Sequence, residues 1–195
     1  MRFKTIHLFF LACFFTVSAQ AATYTVDADH TSVSFKIKHL FSKVQGSFKK
    51  FEGTVDYEPG KSEVWKTAGT IDVSSIDTNE AKRDKHLLSA DFFDAEKYPT
   101  IEFKSTGVKD TSGNSARLEG LLKMHGVEKP VVLNVDVNGV GKDPWGNTRA
   151  AFTATTKVNR KDFGMNWNQA LDNGGLLVGE EVEIVLEVEA IEKQG

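Results

Sequence analysis

Apolar and polar residues alternate along most of the chain, which is the pattern of β-strands that bury one face. In residues 31–39, for example, Val33, Phe35 and Ile37 share one face, while serines and lysines occupy the other. About eight such segments recur, or nine when residues 24–26 are included. They lie at residues 31–39, 44–57, 65–73, 101 onward, 118–124, 131–137, 149–158 and 181–189. The sequence therefore predicts an all-β domain.

The connections and the glycines bear on the choice between a β-sandwich and a closed barrel. Turn clusters such as Glu58-Pro59-Gly60-Lys61 keep the connections short, so neighbouring strands are predicted to be antiparallel. The parity of the alternation changes at Lys49-Lys50, which indicates a β-bulge or a sharp bend. Glycines lie on apolar faces, where strongly curved strands need room to bend: Gly46, Gly53, Gly69 and Gly120. We therefore favour a barrel of eight antiparallel strands, filled by side chains or holding one small ligand.

One segment breaks the alternation, RDKHLLSADFFDAEKYPT at residues 83–100. A short helix is predicted over residues 79–88, with Asp77 or Thr78 as its N-cap. Phe92 and Phe93 follow it on a tight turn. The segment is either a cap on one barrel end or a gate over an apolar entrance. Spacing alone favours the cap, because loops that cover the end of a fold are common.

The N-terminus has the features of a secretory signal peptide. Arg2 and Lys4 precede an apolar run over residues 8–17, and Ala19-Gln20-Ala21 fits a small-x-small cleavage site. We expect residues 1–21 to be removed and residues 22–195 to form a single domain. The residues before Cys13 fit a lipobox poorly, which disfavours a lipidated N-terminus. Removing Cys13 leaves a mature chain without cysteine, so no disulfide is predicted.

Charge argues against several classes of partner. Loss of Arg2 and Lys4 changes the formal net charge from −3 to −5, and the charges are interspersed. No basic run indicates nucleic-acid binding, and no later apolar run reaches the ~20 residues of a membrane span. We therefore expect no nucleic-acid partner and no integral membrane segment after cleavage. The oligomeric state stays open, with a homodimer among the alternatives.

Few residues are arranged for catalysis or metal binding. The histidines of the mature chain lack H-x-H and H-x-x-x-H spacings, which gives a zinc site weak support. No G-x-S-x-G nucleophile elbow is present. We therefore predict no catalytic residues and no metal. Arg160 is either a functional residue or part of an arginine–aspartate clamp that closes one barrel end. The clamp is favoured, because a half-buried arginine usually has a carboxylate partner.

Six short motifs together resemble the YceI-like family of secreted, lipocalin-like, polyisoprenoid-binding proteins. They are DHTSVSF at 29–35 with His39, VQGSF at 44–48, RDKHL at 83–87 with Phe92-Phe93 and Tyr98-Pro99, LKMHGVEKPV at 122–131, NRKDFGM at 159–165 and VGEEV at 178–182. Each motif is short, but their order and spacing cover essentially the whole mature chain and are together highly specific.

The resemblance implies a fold, a location and a ligand. It implies an extended eight-stranded antiparallel lipocalin-like barrel in the periplasm of a Gram-negative bacterium. It implies a long isoprenoid lipid, such as a quinone-like or prenyl compound, threaded through the barrel, and no cofactor beyond that lipid. It implies no catalytic residues, and it suggests transport, storage or a stress response as the role.

The inward-facing apolar residues are then the candidate ligand-binding set. They are Val33, Phe35, Ile37, Phe48, Phe103, Leu118, Leu122, Met124, Val135 and Phe152. We define residues 79–99 as the helical flap. We hypothesise that Arg83 and Asp84 hold this flap on the barrel and that Phe92 and Phe93 close the apolar space beneath it. The alternative for every one of these residues is ordinary packing in a filled barrel.

Two other functions stay open beside lipid binding. The first is a lipid-modifying hydrolase or isomerase that uses His39 or His86 with a nearby carboxylate. The missing nucleophile and metal signatures disfavour it. The second is a structural, stress-induced protein with a solid core.

Overall fold

The computed structural model describes residues 21–172 and 175–194. In this part of the chain the fold consists of eleven β-strands, one α-helix and short 3₁₀ turns. The strands are β1 (Ala22–Val26), β2 (Ser32–His39), β3 (Ser42–Phe48), β4 (Phe51–Tyr57), β5 (Lys66–Asp72), β6 (Ile76–Asp77), β7 (Thr100–Ser112), β8 (Ser115–Met124), β9 (Val127–Lys142), β10 (Thr148–Asn159) and β11 (Val178–Glu192). The helix is α1 (Ala81–Leu88) and lies between β6 and β7.

The sheet closes on itself. The antiparallel ring runs β1, β4, β5, β7, β8, β9, β10 and β11, and β11 returns to β1. The other three strands continue members of this ring beyond bends. Along β11, residues 178–187 pair with β2 and residues 190–192 pair with β1. Beyond a bend, β3 continues into β4, and β5 continues into β6. Eleven strands thus occupy eight positions around the barrel, and the predicted eight-stranded antiparallel barrel is confirmed.

The bend predicted at Lys49-Lys50 separates β3 from β4. The amides of both lysines donate to Oγ of Ser75, at 3.1 and 3.0 Å. Ser75 belongs to the 3₁₀ turn that makes the matching bend between β5 and β6. The Lys49 amide also donates to the Ser75 carbonyl at 3.1 Å. The two adjacent strands therefore bend together, and the Ser75 hydroxyl supplies an acceptor for the Lys50 amide.

The helix begins later than predicted and has a different cap. Its first residue is Ala81, and its N-cap is Glu80 instead of Asp77 or Thr78. Asn79 has φ of 62°, which places it in the left-handed region and excludes it from a right-handed helix. Asp77 accepts from the Asn79 amide at 2.9 Å, so it stabilises the turn that precedes the helix.

The core consists of two clusters of buried residues. The first cluster contains Tyr24, Tyr57, Leu118, Leu133, Val135 and Phe152 among others. The second contains Val33, Phe48, Val73, Ile101, Leu122, Met124, Phe163 and Met165 among others. Leu87 and Leu88 of α1 pack against the second cluster, so the helix lies with its leucines on the barrel. We call the barrel end with the second cluster the helix end.

Two inward-facing glycines accommodate aromatic rings. Gly46 on β3 pairs with Phe35 on β2, and a Cβ at Gly46 would collide with the Phe35 ring. Gly120 on β8 likewise lies under the ring of Phe103 on β7. The absence of a side chain at these positions lets the rings lie flat on the neighbouring strand, in addition to the bending room expected from the sequence.

Apart from Ala21, the predicted signal peptide of residues 1–21 lies outside the described residues and stays a prediction. Among the helices of the described residues, none has the length and apolar character needed to span a bilayer.

Candidate ligand-binding cavity

The interior of the barrel is hollow. A cavity of about 600 Å³ lies between the two core clusters and is walled almost entirely by inward-facing apolar side chains. All of the residues predicted from the sequence to bind ligand line it: Val33, Phe35, Ile37, Phe48, Phe92, Phe93, Phe103, Leu118, Leu122, Met124, Val135 and Phe152. The hypothesis of a completely filled barrel does not fit this structure. Contact of these residues with a ligand stays a prediction.

The cavity end opposite α1 is lined by aromatic side chains whose rings contact one another in tilted and edge-on arrangements. The ring of Tyr57 lies 4.9 Å from that of Trp65 and 5.2 Å from that of Phe152, centroid to centroid. Burial raises the pKa of the Tyr57 phenol, so this residue presents a neutral surface to the cavity. Tyr57 and Trp65 belong to the alternating strands of the sequence but were not among the predicted ligand-binding residues.

The helix end is covered by side chains of the helical flap. The Phe93 ring meets that of Phe48 edge-on at 6.0 Å, and the Phe92 ring lies 5.2 Å from that of Trp167. His86 of α1 packs edge-on against both Phe92 and Trp167, at 5.1 and 4.8 Å. All five side chains line the cavity, so the flap forms part of its wall.

A buried threonine joins the flap to the barrel. The Thr78 hydroxyl donates to Asp84 at 2.5 Å and accepts from Nε of Arg83 at 2.7 Å. The Thr78 backbone takes part as well, because its amide donates to Asp84 at 2.9 Å and its carbonyl accepts from Nη2 of Arg83 at 2.7 Å. Arg83 and Asp84 therefore hold the start of α1 through one residue that follows β6.

The carboxylate partner predicted for Arg160 is absent from the described residues. Arg160 is 2% exposed, and its contacts are with backbone carbonyls. Its Nε donates to the Gly179 carbonyl at 2.8 Å, and its Nη1 donates to the Met165 carbonyl at 2.5 Å. Burial lowers the pKa of the guanidinium, although an arginine stays protonated in proteins. The prediction of an arginine–aspartate clamp was wrong, because backbone carbonyls supply neutral oxygens to the guanidinium.

The histidines named in the enzyme alternative do line the cavity. His86 Nε2 lies 2.8 Å from Oδ2 of Asp91, so this histidine has a carboxylate partner. Within the described residues, no serine or threonine hydroxyl is hydrogen bonded to the ring of His39 or His86. A histidine–carboxylate pair without an adjacent nucleophile gives acyl transfer little support.

One group of side chains has the composition of a metal site. Ligand atoms of Asp27, His30 and Glu189 lie within 4.8 Å of one another. Arg149 already occupies the space between them, since Nη1 lies 2.7 Å from Asp27 and 2.5 Å from Glu189, and Nε lies 2.9 Å from Asp143. The positive charge that would balance these carboxylates is thus a guanidinium, and the residues do not fit a cation site.

Known proteins are similar to this chain in sequence and in fold. The model of the YceI-like domain matches residues 24–190. A UPF0312 protein of Vibrio cholerae serotype O1 is 44% identical over 151 residues, which are 76% of this chain and 80% of the relative. The crystal structure of Burkholderia cenocepacia BcnA has a TM-score of 0.75 at 27% identity, covering 85% of this chain and 99% of that one.

A more distant structure shares the fold alone. It is a polyisoprenoid binding domain from Saccharophagus degradans implicated in plant cell wall breakdown. Its TM-score is 0.67 at 12% identity, and the match covers 89% of this chain and 99% of that domain. The match to the family model, which extends over most of the sequence, agrees with the closed barrel and its apolar interior. The chain belongs to the YceI-like family.

Proposed function

We propose that this protein is a non-catalytic periplasmic carrier that binds a long-chain isoprenoid lipid, such as a quinone-like or prenyl compound, inside its barrel. The observation that carries the proposal is the apolar cavity of about 600 Å³. This volume falls within the range of roughly 300–1,000 Å³ for ligand pockets. An apolar space with few polar groups suits a hydrocarbon chain, which needs no hydrogen bonds from its surroundings.

The energetics favour such a ligand. Transfer of a chain from water to an apolar cavity contributes roughly 0.8 kcal/mol for each CH₂ group, so about twelve groups contribute on the order of 10 kcal/mol. Association costs several kcal/mol in lost translational and rotational freedom, in the range of about 4–15 kcal/mol. A long chain is therefore favoured over a short one, because each added group increases the gain without increasing that cost in proportion.

Family membership supports the same ligand class. The Saccharophagus degradans domain that shares this fold is a polyisoprenoid binding domain. The predicted signal peptide supports a periplasmic location, in which a carrier would move or store lipid between membranes or during stress. Such a carrier needs no catalytic group and no cofactor other than its lipid.

Mass spectrometry of the protein expressed with its N-terminal segment and recovered from the periplasm tests this function. Native spectra are expected to show a stoichiometric adduct that solvent extraction releases as a prenyl lipid, together with loss of residues 1–21. The stripped protein is expected to take up an added polyprenyl quinone. A clean mass without adduct, combined with no uptake of quinone or prenyl alcohol, would overturn the proposal.

The alternative, a hydrolase or isomerase acting on a lipid, rests on the His86–Asp91 pair at the cavity wall. It predicts that a bound lipid is converted to a new product and that His86→Ala abolishes the conversion. Recovery of unchanged lipid after prolonged incubation, from both the original protein and the variant, is the result expected for a carrier.

A further inference from the structure

The cavity wall contains one buried cation with an unused hydrogen-bond donor. Arg160 lines the cavity, and its Nε and Nη1 donate to the carbonyls of Gly179 and Met165. Its Nη2 has no hydrogen-bond partner among the described residues and is shielded from solvent. Buried donors are normally paired, and leaving a charged one unpaired is unfavourable. A ligand oxygen that enters the cavity and displaces the side chains packed over Nη2 would supply the missing acceptor.

The charge of Arg160 is also left without an ion pair in the described part of the chain. The nearby Glu180 carboxylate is held at 2.6 Å by Lys161. By contrast, Arg117 pairs with Asp110 at 3.0 Å and Arg149 with three carboxylates. Arg160 thus has no carboxylate within ion-pair distance among the described residues, and Glu180 acts on its charge only at longer range.

The local backbone fixes the position of this guanidinium. Arg160 opens a 3₁₀ turn whose N-cap, Asn159, accepts from the Lys161 amide at 2.9 Å. The turn ends at Gly164, whose φ of 79° suits a residue without a side chain. The Met165 amide then donates back to the Arg160 carbonyl at 3.2 Å. Two carbonyl contacts and a closed turn orient the side chain before any ligand binds, which lowers the entropic cost of recognition.

We propose that Arg160 is the head-group site of the barrel, where Nη2 donates a hydrogen bond to an acceptor oxygen at the end of the bound chain. The chemistry that fits is a carbonyl, as in a quinone, or a carboxylate, since both present lone pairs to a guanidinium. Phe163 and Met165 beside Arg160 belong to the core cluster of the helix end. The head of the ligand therefore lies near α1, and the tail extends toward Tyr57 and Trp65. This assignment rests on the proposed lipid-binding function.

A pair of ligands with the same tail tests the assignment. One is a polyprenyl quinone, and the other is the corresponding polyprenyl hydrocarbon without oxygen. Binding of the quinone is measured by quenching of tryptophan fluorescence, and binding of the hydrocarbon by its displacement of bound quinone. A hydrogen bond to a charged donor predicts that the original protein prefers the quinone by about tenfold or more. In Arg160→Met the ratio of the two affinities is expected to fall toward one.

Arg117→Met is the matched control, because Arg117 is an exposed arginine that does not line the cavity. It is expected to keep the preference for the quinone. If Arg160→Met does not fold, the infrared carbonyl band of quinone bound to the original protein provides a second measurement. A shift to lower frequency relative to quinone in hydrocarbon solvent is expected for a carbonyl that accepts from a guanidinium.

The outcomes separate the head-group site from the function on which it rests. Equal binding of quinone and hydrocarbon by the original protein would overturn the role of Arg160 and leave the lipid-binding function in place. Binding of neither ligand would overturn the lipid-binding function itself. A third ligand, a carboxylic acid with the same tail, identifies the acceptor: tighter binding than the quinone assigns an anionic head, and weaker binding assigns a neutral carbonyl.

Discussion

The hydroxyl of Thr78 and the carboxylate of Asp84 meet at 2.5 Å at the start of the helical flap. The same hydroxyl accepts from Arg83, so a single oxygen connects a cation and an anion. Thr78 is 4% exposed, which means that water does not readily replace either partner. This buried network attaches α1 to β6 and explains how a helix of two turns keeps its place over the cavity.

Replacing Thr78 by valine keeps the shape of the side chain and removes the shared hydroxyl. We expect the free energy of unfolding to fall by about 1–3 kcal/mol, since Arg83 and Asp84 each lose a partner in a buried setting. Urea unfolding of the variant measures the loss. Thr111→Val is the control, because Thr111 is an exposed strand residue and its replacement is expected to change stability little. Similar losses in the two variants would contradict the structural role of the hydroxyl.

Gly120 is expected to tolerate alanine poorly. A Cβ at this position would collide with the Phe103 ring and lie 2.7 Å from the Lys104 carbonyl oxygen, and the backbone cannot move away cheaply. Such overpacking costs about 1–3 kcal/mol, and we expect the free energy of unfolding of Gly120→Ala to fall by that amount. Gly107→Ala on the paired strand β7 is the control, because no atom lies within 4 Å of its added Cβ. Equal stability of the two variants would show that the ring shifts freely.

Much of the barrel could be predicted from the alternation of side chains, because the period of two decides which residues face inward. Phe35, Leu122 and Phe152 illustrate this, since each lies at an inward position and lines the cavity. Alternation could not show whether the interior was filled or hollow. That depends on how side chains from strands distant in sequence pack against one another, as Tyr57 does edge-on against Phe152.

The predictions that were wrong concern the start of α1 and the partners of Arg160, where the backbone departs from regular helix or strand geometry. The left-handed conformation of Asn79 delays α1 to Ala81. Asparagine is enriched in this region, but the preference alone does not show which asparagine adopts it. The partners of Arg160 could not be predicted because Gly179 lies 19 residues away and contributes only a carbonyl. A backbone acceptor has no signature in the side-chain sequence, so a buried arginine appeared to need a carboxylate.

The network around Arg149 predicts a loss of stability in acid. A hydrogen bond from Arg149 holds the pKa of the Asp143 carboxyl well below its usual range. A second hydrogen bond from Arg149 lowers the pKa of the Asp27 carboxyl. A carboxyl with a depressed folded-state pKa stabilises the fold fully above its unfolded pKa, about 3.9, and the stabilisation is lost as the pH falls below that value. Asp143→Asn is therefore expected to be less stable than the original protein at pH 6, with the difference narrowing below pH ~4.

Urea unfolding at several pH values between 6 and 2.5 measures this difference. Asp162→Asn is the control, because Asp162 is exposed and lies outside the Arg149 network. Its stability is expected to follow that of the original protein at each pH. A constant difference between Asp143→Asn and the original protein across this range would contradict the ion-pair origin of the acid sensitivity.

Filling the cavity is expected to weaken lipid binding without unfolding the barrel. Ala154 is 6% exposed and lines the cavity from β10. Tryptophan at this position would therefore occupy cavity volume that the tail of the proposed lipid fills. We expect Ala154→Trp to weaken binding of a polyprenyl quinone about tenfold or more. Thr155→Trp is the control, because the next residue along a strand faces the opposite side of the sheet. Equal affinities of the two variants would place the ligand outside the barrel.

The helical flap is expected to act as a gate, with Phe92 and Phe93 as its seal. Truncating either ring to alanine removes part of the wall between the cavity and solvent, since Phe92 contacts Trp167 and Phe93 contacts Phe48. We expect the lipid to dissociate faster from both variants. Transfer of bound quinone to empty vesicles measures the rate. The same truncations also cost stability, on the order of 3–5 kcal/mol for a fully buried ring, so faster release alone does not identify a gate.

Phe163→Ala separates the gate from general destabilisation. Phe163 is 2% exposed in the same core cluster but does not line the cavity, so its truncation weakens the helix end without opening the wall. A gate predicts faster release from the Phe92 and Phe93 variants than from Phe163→Ala at comparable loss of stability. Equal rates in all three would mean that the flap only caps the barrel, and the lipid would then leave through partial unfolding of the helix end.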